Sequence, residues 1–148
     1  MSESSDRAVP PLALCLSYAG LLPFVGLAGL LWAAPAAWSP IAAKALLVYG
    51  ALIASFLGGI HWSIAQRDAS PAASRRYLWG VTPSLLAWIA ALLPVTDGLI
   101  LVGVLLMGCY AVDRSTYGRC GLVHWLPLRM QLTVVAVTSC LAGAWALH

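Results

Sequence analysis

The chain has 148 residues, of which 61% are hydrophobic and only 9% are charged, with a mean hydropathy of +0.89. A soluble domain carries roughly 25% charged residues, so this composition excludes a globular protein that faces water on all sides. The net charge of +3 is small, and the basic residues flank apolar segments, which argues against nucleic-acid binding.

Five apolar segments have about the length that a helix needs to cross roughly 30 Å of hydrocarbon. In chain order they are 12–32, 42–65, 77–94, 97–112 and 128–147. Each run is continuously apolar rather than alternating with a period of two, which favours helices over a β-barrel. The predicted fold is an all-α integral membrane protein, a single compact five-helix bundle over residues 10–148 that follows a polar tail, residues 1–9. The third and fourth segments meet at Pro94–Asp97 and predict a tight helical hairpin.

The first segment imitates a secretory signal peptide, because Arg7 precedes an apolar run that ends near Ala34-Pro35-Ala36. However, a signal peptide has an apolar core of roughly 7–15 residues, and this run has about 20. We therefore expect the first segment to be retained as a membrane span.

The basic residues are distributed unevenly between the two sides of the predicted bundle. If the N-terminus is cytoplasmic, Lys44 is the only basic residue on the outer side. The basic residues that then lie inside are Arg7, Arg67, Arg75, Arg76, Arg114, Arg119 and Arg129. Lysine and arginine accumulate on the cytoplasmic side of membrane proteins, so this distribution predicts an N-in, C-out topology with five spans.

Small residues form a stripe along the second segment, where helical geometry places them within about 100° of one another. They are Ala51, Ala54, Ser55, Gly58 and Gly59. In lipid such a stripe allows another helix to approach closely, so it predicts a helix-packing face. By the same geometry His61 and Trp62 border this face and point into the bundle.

His61 lies about 9 Å below the cytoplasmic edge, at 1.5 Å per residue from Arg67. Counting inward on the other segments places Tyr18 and Ser84 at a similar level, Tyr110 slightly nearer the surface, and Asp113 and Arg129 at the rim. The candidate ligand-binding residues are His61, Trp62, Ser84, Tyr110, Asp113, Arg129 and Tyr18. Two interpretations remain open: a neutral His61 that only makes a packing hydrogen bond, to a hydroxyl or carbonyl of the third helix or to Tyr110, or a pocket or proton path open to the cytoplasm.

Catalytic and metal-binding motifs known from soluble enzymes are absent from the sequence, which predicts no catalytic residues and no metal site. The four cysteines, Cys15, Cys109, Cys120 and Cys140, show no disulfide or metal-binding pattern. Cys120 and His124 are spaced as C-x₃-H, which is insufficient for zinc without two further ligands.

Five short motifs carry a resemblance to a known family. They are Tyr18–Phe24, Ser55–Trp62, Pro83–Trp88, Tyr110–Asp113 and Leu128–Thr133. Together they resemble the family called domain of unknown function 3429, uncharacterised small polytopic membrane proteins. One departure is local: where the family has Trp-Tyr before the last motif, this chain has His124-Trp125-Leu126-Pro127. The resemblance implies a protein of bacterial cytoplasmic or mitochondrial inner membranes, and it implies no activity.

The sequence favours a non-enzymatic accessory, assembly or interaction subunit that lies in the lipid bilayer of a bacterial inner membrane and binds other membrane protein subunits. The alternative is a membrane-embedded module centred on His61 that handles protons or binds a lipophilic, quinone-like ligand or a lipid. Haem is less favoured, because a second buried histidine would be needed and His124 lies in a loop.

Overall fold

The computed structural model describes residues 8–67, 70–71 and 73–148, and its regular structure in these ranges is entirely helical. The α-helices are α1 (Pro11–Ala19), α2 (Leu22–Ala33), α3 (Ser39–Gln66), α4 (Ala73–Leu92), α5 (Val95–Tyr117) and α6 (Leu126–Trp145). Short 3₁₀ turns at Ala36–Trp38 and Val123–Trp125 lead into α3 and α6. The prediction of an all-α protein is confirmed.

The first predicted span is divided into α1 and α2, where the sequence predicted one helix over 12–32. The interruption lies at Gly20 and Leu21, directly before Pro23 in the first turn of α2. Proline has no backbone N–H, so the helical hydrogen bonding cannot continue unbroken through this point. The hydroxyl of Tyr49 on α3 donates a hydrogen bond to the carbonyl of Gly20 over 2.8 Å. This bond satisfies a backbone group that the interruption leaves open.

Among the described residues, four segments are long and apolar enough to cross a membrane, by length and composition. They are Pro11–Ala33, Ala36–Gln66, Val95–Tyr117 and Val123–Trp145. The remaining predicted span corresponds to α4, whose first turns contain Arg75 and Arg76 and whose centre contains Thr82-Pro83-Ser84. These polar residues lower its hydropathy, so the sequence-based count of five spans is supported for four.

The core lies between α2, α3, α5 and α6, where large side chains are fully enclosed. These are Phe24, Leu46, Leu47, Leu99 and Val102. The predicted hairpin is confirmed, since α4 ends at Leu92 and α5 begins at Val95. Many large apolar side chains cover the outside of the bundle, as a lipid-facing surface requires.

The stripe of small residues on α3 forms a close helix contact at Gly58. A Cβ atom there would collide with the carbonyl oxygen of Gly80 on α4. Ala54 on the same face is fully buried. By contrast, Gly59 is exposed, and a Cβ at this position would meet nothing within 4 Å. The packing face therefore runs through Ala54 and Gly58, and Gly59 points away from it.

Lys44, the single lysine, connects the start of α3 to the end of α4. Its Nζ donates a hydrogen bond of 2.9 Å to the carbonyl of Ala91, in the last turn of α4. A cation at a helix C-terminus binds free carbonyl groups and interacts favourably with the helix dipole. Lys44 thus lies at the opposite end of α3 and α4 from Arg67, Arg75 and Arg76.

Candidate functional site

Three ionisable side chains from three helices meet inside the bundle. His61 on α3 and Asp113 on α5 are each 1% exposed, and Arg129 on α6 is 8% exposed. The His61 Nε2 lies 2.9 Å from Asp113 Oδ1, and the Arg129 Nε donates to Asp113 Oδ2 over 2.8 Å. The Arg129 Nη2 also donates to Oδ2. We call these three residues the His-Asp-Arg cluster.

The carboxylate at the centre of the cluster reaches this position because α5 is longer than expected. The sequence predicted that the helix ends at Val112, whereas α5 continues to Tyr117. Asp113 is therefore held within a helix rather than at its rim, one turn after Cys109 and one turn before Tyr117. Both neighbours are buried and lie close enough to Asp113 and Arg129 to interact electrostatically.

Hydrogen-bonding rules identify the donor atom of His61. When Asp113 is a carboxylate paired with the Arg129 guanidinium, both of its oxygens only accept hydrogen bonds. The short bond to Asp113 then requires the hydrogen of His61 to be on Nε2. The Asp113 carboxylate and the Arg129 guanidinium carry opposite charges, and buried charges are tolerated when they are paired and hydrogen-bonded in this way.

A polar cavity of about 320 Å³ lies on the His61 side of the cluster. Its lining residues are His61, Arg75, Arg76, Trp79, Val112, Ser115, Thr116 and Arg119. The Trp79 ring meets the imidazole edge to face, with 6.5 Å between the ring centroids. The indole Nε1 of Trp79 is buried and has no hydrogen-bond partner among the described residues. We call this space the arginine cavity.

An apolar cleft of about 420 Å³ lies on the Arg129 side of the cluster. Its walls come from α1, α2, α3, α5 and α6 and include Leu16, Phe24, Phe56, Leu57, Ile60 and Leu132. Its polar groups include Arg129 and Thr133, both of them buried. The cluster therefore separates an arginine-rich cavity from an apolar cleft.

Of the seven predicted site residues, the structure brings three together, namely His61, Asp113 and Arg129. Trp62 is exposed, and its Nε1 donates to the carbonyl of Tyr77 over 3.1 Å. Tyr18 is exposed as well and donates to Gln131 Oε1 over 2.5 Å.

Ser84 and Tyr110 are half-buried and border neither the arginine cavity nor the apolar cleft. The packing interpretation expected a hydroxyl or carbonyl of the third predicted helix, or Tyr110, as the hydrogen-bond partner of His61, and the observed partner is Asp113. Tyr110 precedes Asp113 by three residues on α5, so the two side chains point about 60° apart.

Sequence reasoning missed the residues that surround the cluster. Arg75, Arg76 and Arg119 entered the sequence analysis only as indicators of topology, although they line one cavity. The i, i+4 spacing from Asp113 to Tyr117 was a readable signal, because it places both on one helix face. No sequence signal connects α4 to the end of α5, since that proximity comes from tertiary packing.

Known proteins share this sequence over most of its length. Residues 9–145 match the family described as "Protein of unknown function (DUF3429)". Transmembrane protein 69 of Xenopus tropicalis is 40% identical over 142 residues, which is 90% of this chain and 53% of that protein. Transmembrane protein 69 of Mus musculus is 34% identical over 85 residues, 56% of this chain and 34% of that protein.

The chain thus spans about half the length of the frog relative. No solved structure matches the chain. The match to the family covers the His-Asp-Arg cluster and all six helices, and it confirms the resemblance seen in the sequence motifs. The chain belongs to the DUF3429 family, membrane proteins of unknown function.

Proposed function

We propose that this chain binds a lipophilic, quinone-like ligand in the apolar cleft, with the polar head of the ligand at Arg129. The observation that carries this proposal is a buried guanidinium at the wall of a cleft of about 420 Å³ whose lining is otherwise mainly apolar. Ligand pockets commonly combine apolar walls with a few convergent polar groups, and this cleft has that composition.

The cluster provides hydrogen-bond donors for the head of such a ligand. A guanidinium has five N–H donors, and the bonds from Arg129 to Asp113 use only Nε and Nη2, both of which donate to Oδ2. The hydroxyl of Thr133, one turn further along α6, is a second polar group in the cleft. Carbonyl oxygens of a quinone-like head accept hydrogen bonds from groups of this kind.

Proton handling follows from the same arrangement. Arg129 borders the cleft, His61 borders the arginine cavity, and Asp113 is bonded to both. This chain of hydrogen bonds is the only connection that the proposal needs between a bound ligand and the aqueous side. Intramembrane ionisable groups are costly to hold and commonly mark proton or substrate paths.

The proposal is tested by filling the cleft. In Leu132→Trp the larger side chain occupies the cleft, whereas in the matched control Val134→Trp the indole lies on the exposed side of the same helix. Both variants and the wild type are purified in mild detergent, and extracted quinones and lipids are quantified by mass spectrometry. We expect the wild type and Val134→Trp to retain a ligand that Leu132→Trp has lost. A wild-type protein without any quinone or other lipophilic ligand overturns the proposal.

A second candidate function is an accessory or assembly subunit of another membrane complex, in a bacterial inner membrane. It is favoured by the first span, Pro11–Ala33, whose most apolar stretch is only 11% buried in the bundle. Gly26 and Gly29 on this span have open space in front of them, because a Cβ at either position meets nothing within 4 Å. Glycines on such a face permit a helix of another membrane protein subunit to pack closely.

The accessory function is tested by affinity purification from membranes and mass spectrometry. Gly26→Leu/Gly29→Leu blocks the open face, and Gly108→Leu is the control at an equally open position on α5. We expect one and the same membrane polypeptide to be recovered with the wild type and the control, and to be absent with the double variant. Recovery of this chain alone, in all three samples, contradicts an accessory role.

A further inference from the structure

We propose that the arginine cavity is a binding site for a phosphate-type oxyanion, either a soluble phosphorylated molecule or the phosphate of an anionic lipid headgroup. This site is separate from the apolar cleft, and it does not depend on a ligand being bound there. The two spaces share no lining residue, and His61 lines one whereas Arg129 lines the other.

The lining of the arginine cavity is strongly basic. Arg75 at the start of α4 and Arg119, just after the end of α5, both line this cavity, and Arg76 lines it as well but has an interaction of its own. The described lining residues include no carboxylate, and Asp113 is already engaged by His61 and Arg129. Like charges that line one cavity repel each other, and an anion bound between Arg75 and Arg119 would reduce this repulsion.

The basic residues of the cavity are arginines, whose geometry suits phosphate. Arginine presents a planar fork of N–H groups that matches the geometry of phosphate oxygens and forms bidentate hydrogen bonds with them. The hydroxyl of Thr116 adds a neutral donor to the same wall. A phosphate group has several acceptor oxygens, so it can bond to arginine and hydroxyl donors at the same time.

An unpartnered donor provides an independent observation. The buried indole N–H of Trp79 has no hydrogen-bond partner among the described residues, and Trp79 borders the cavity. The indole nitrogen is a donor only, so its missing partner has to be an acceptor. This nitrogen has almost no accessible surface, so an oxyanion in the cavity would reach it only after a small rotation of the indole, whereas a cationic ligand offers no acceptor at all.

The size of the cavity limits the ligand. A volume of about 320 Å³ is at the lower end of the range for small-molecule pockets, roughly 300–1,000 Å³. It accommodates a phosphate with a small attached group. His61 forms the inner wall, so an anion held here lies next to the imidazole and within reach of the cluster.

The test uses the full chain and two sources of phosphate. Pyrophosphate is titrated by calorimetry into protein in a zwitterionic detergent, and retention of phosphatidylglycerol is measured by native mass spectrometry after release from mixed nanodiscs. The informative variant is Arg75→Gln/Arg119→Gln. The matched control, Arg67→Gln/Arg114→Gln, removes the same charge from exposed arginines that do not line the cavity.

We expect the cavity variant to lose binding by about tenfold or more, as for the loss of charge-assisted hydrogen bonds, and the control to stay within about twofold of the wild type. Pyrophosphate binding identifies a soluble ligand, and retention of phosphatidylglycerol alone identifies a lipid headgroup. The inference is overturned if neither probe binds, or if both arginine pairs weaken binding equally. If the cavity variant does not fold, Thr116→Val replaces it, and unchanged affinity in that variant likewise counts against the site.

Discussion

Asp113 is bonded to both other members of the His-Asp-Arg cluster, and its burial makes those bonds obligatory. A carboxylate that is 1% exposed has no access to water, so its charge is compensated only by Arg129 and by the donor hydrogen of His61. Arg129 also lies in the first turn of α6, where the positive end of the helix dipole disfavours a cation. Mutual pairing is thus what holds both charges inside the bundle.

Removing the carboxylate should destabilise the protein strongly. In Asp113→Ala the guanidinium of Arg129 stays buried without its counter-charge, and breaking a buried pair in this way costs about 3–5 kcal/mol. Thermal unfolding in detergent should show a large decrease in the midpoint. A midpoint equal to that of the wild type would show that Arg129 reaches water when its partner is absent.

A replacement of all three residues separates stability from function. The variant His61→Leu/Asp113→Leu/Arg129→Met puts apolar side chains of similar volume in the same place, a change that is often neutral or stabilising for buried ion pairs. We expect it to unfold close to the wild-type temperature, and to have lost any ligand. If it keeps its ligand, the cluster serves packing alone.

The residues of the cluster were predictable from the sequence, but their pairing was not. Counting helix turns from the cytoplasmic ends placed His61 about 9 Å inside the bundle and Asp113 and Arg129 at its rim, so all three were expected in the same half of the bundle. The choice of partner depends on how α3 and α5 are rotated against each other, over a separation of 52 residues. A single sequence contains no measure of that rotation, so Tyr110 and Ser84 were equally plausible partners.

At the scale of the helices, α3 and α4 form the closest contact on which the arginine cavity depends. Gly58 and Gly80 face each other, and the ring of Trp62 occupies the space beside Gly80. This approach brings the start of α4, with its arginines, against the end of α3, where His61 lies. The cavity therefore exists because two glycines leave room for the backbone of the neighbouring helix.

Adjacent glycines allow a direct test of this contact. Gly58→Leu should force α3 and α4 apart and destabilise the protein by about 1–3 kcal/mol or more, because its side chain meets the backbone of Gly80. Gly59→Leu is the matched control, since the same side chain there enters open space. Midpoints of thermal unfolding should differ accordingly. Equal losses in the two variants would place the cost in glycine replacement itself rather than in the helix contact.

Helix identity was easier to predict than helix limits. Continuous apolar runs identify the segments, but charged residues at their ends are ambiguous, because a buried partner lets a helix continue through them. Asp113 is such a residue, because it is paired inside the bundle and α5 extends five residues beyond the predicted end at Val112. The division of the first span was readable from Pro23, although the hydroxyl of Tyr49 that stabilises it was not.

The two ends of the helix bundle differ in their charged and polar residues. The His-Asp-Arg cluster, the arginine cavity and the described arginines lie towards one end, and Lys44 lies at the other, bonded to α4. If α4 crosses the bilayer, the chain has five crossings and its termini lie on opposite sides. If α4 does not cross, the four apolar segments leave both termini on the same side.

A reporter fused to the C-terminus decides between these arrangements. The distribution of basic residues predicts an N-in, C-out topology, so we expect alkaline phosphatase fused after His148 to be active and green fluorescent protein at the same position to be dark. The opposite pattern would contradict the five-span topology. A reporter fused after Gln66, at the end of α3, serves as the control, because both arrangements place it inside.

The division between α1 and α2 has a consequence for how a molecule reaches the cleft. The described residues of α1 include no buried side chain, yet Leu16 from this helix lines the apolar cleft together with Phe56 of α3. A lipophilic molecule that diffuses within the bilayer therefore meets a helix of nine residues without a buried side chain, rather than the core of the bundle. A rotation of α1 about the interruption at Gly20 would open a lateral path from the bilayer to Arg129 for a ligand of the proposed kind.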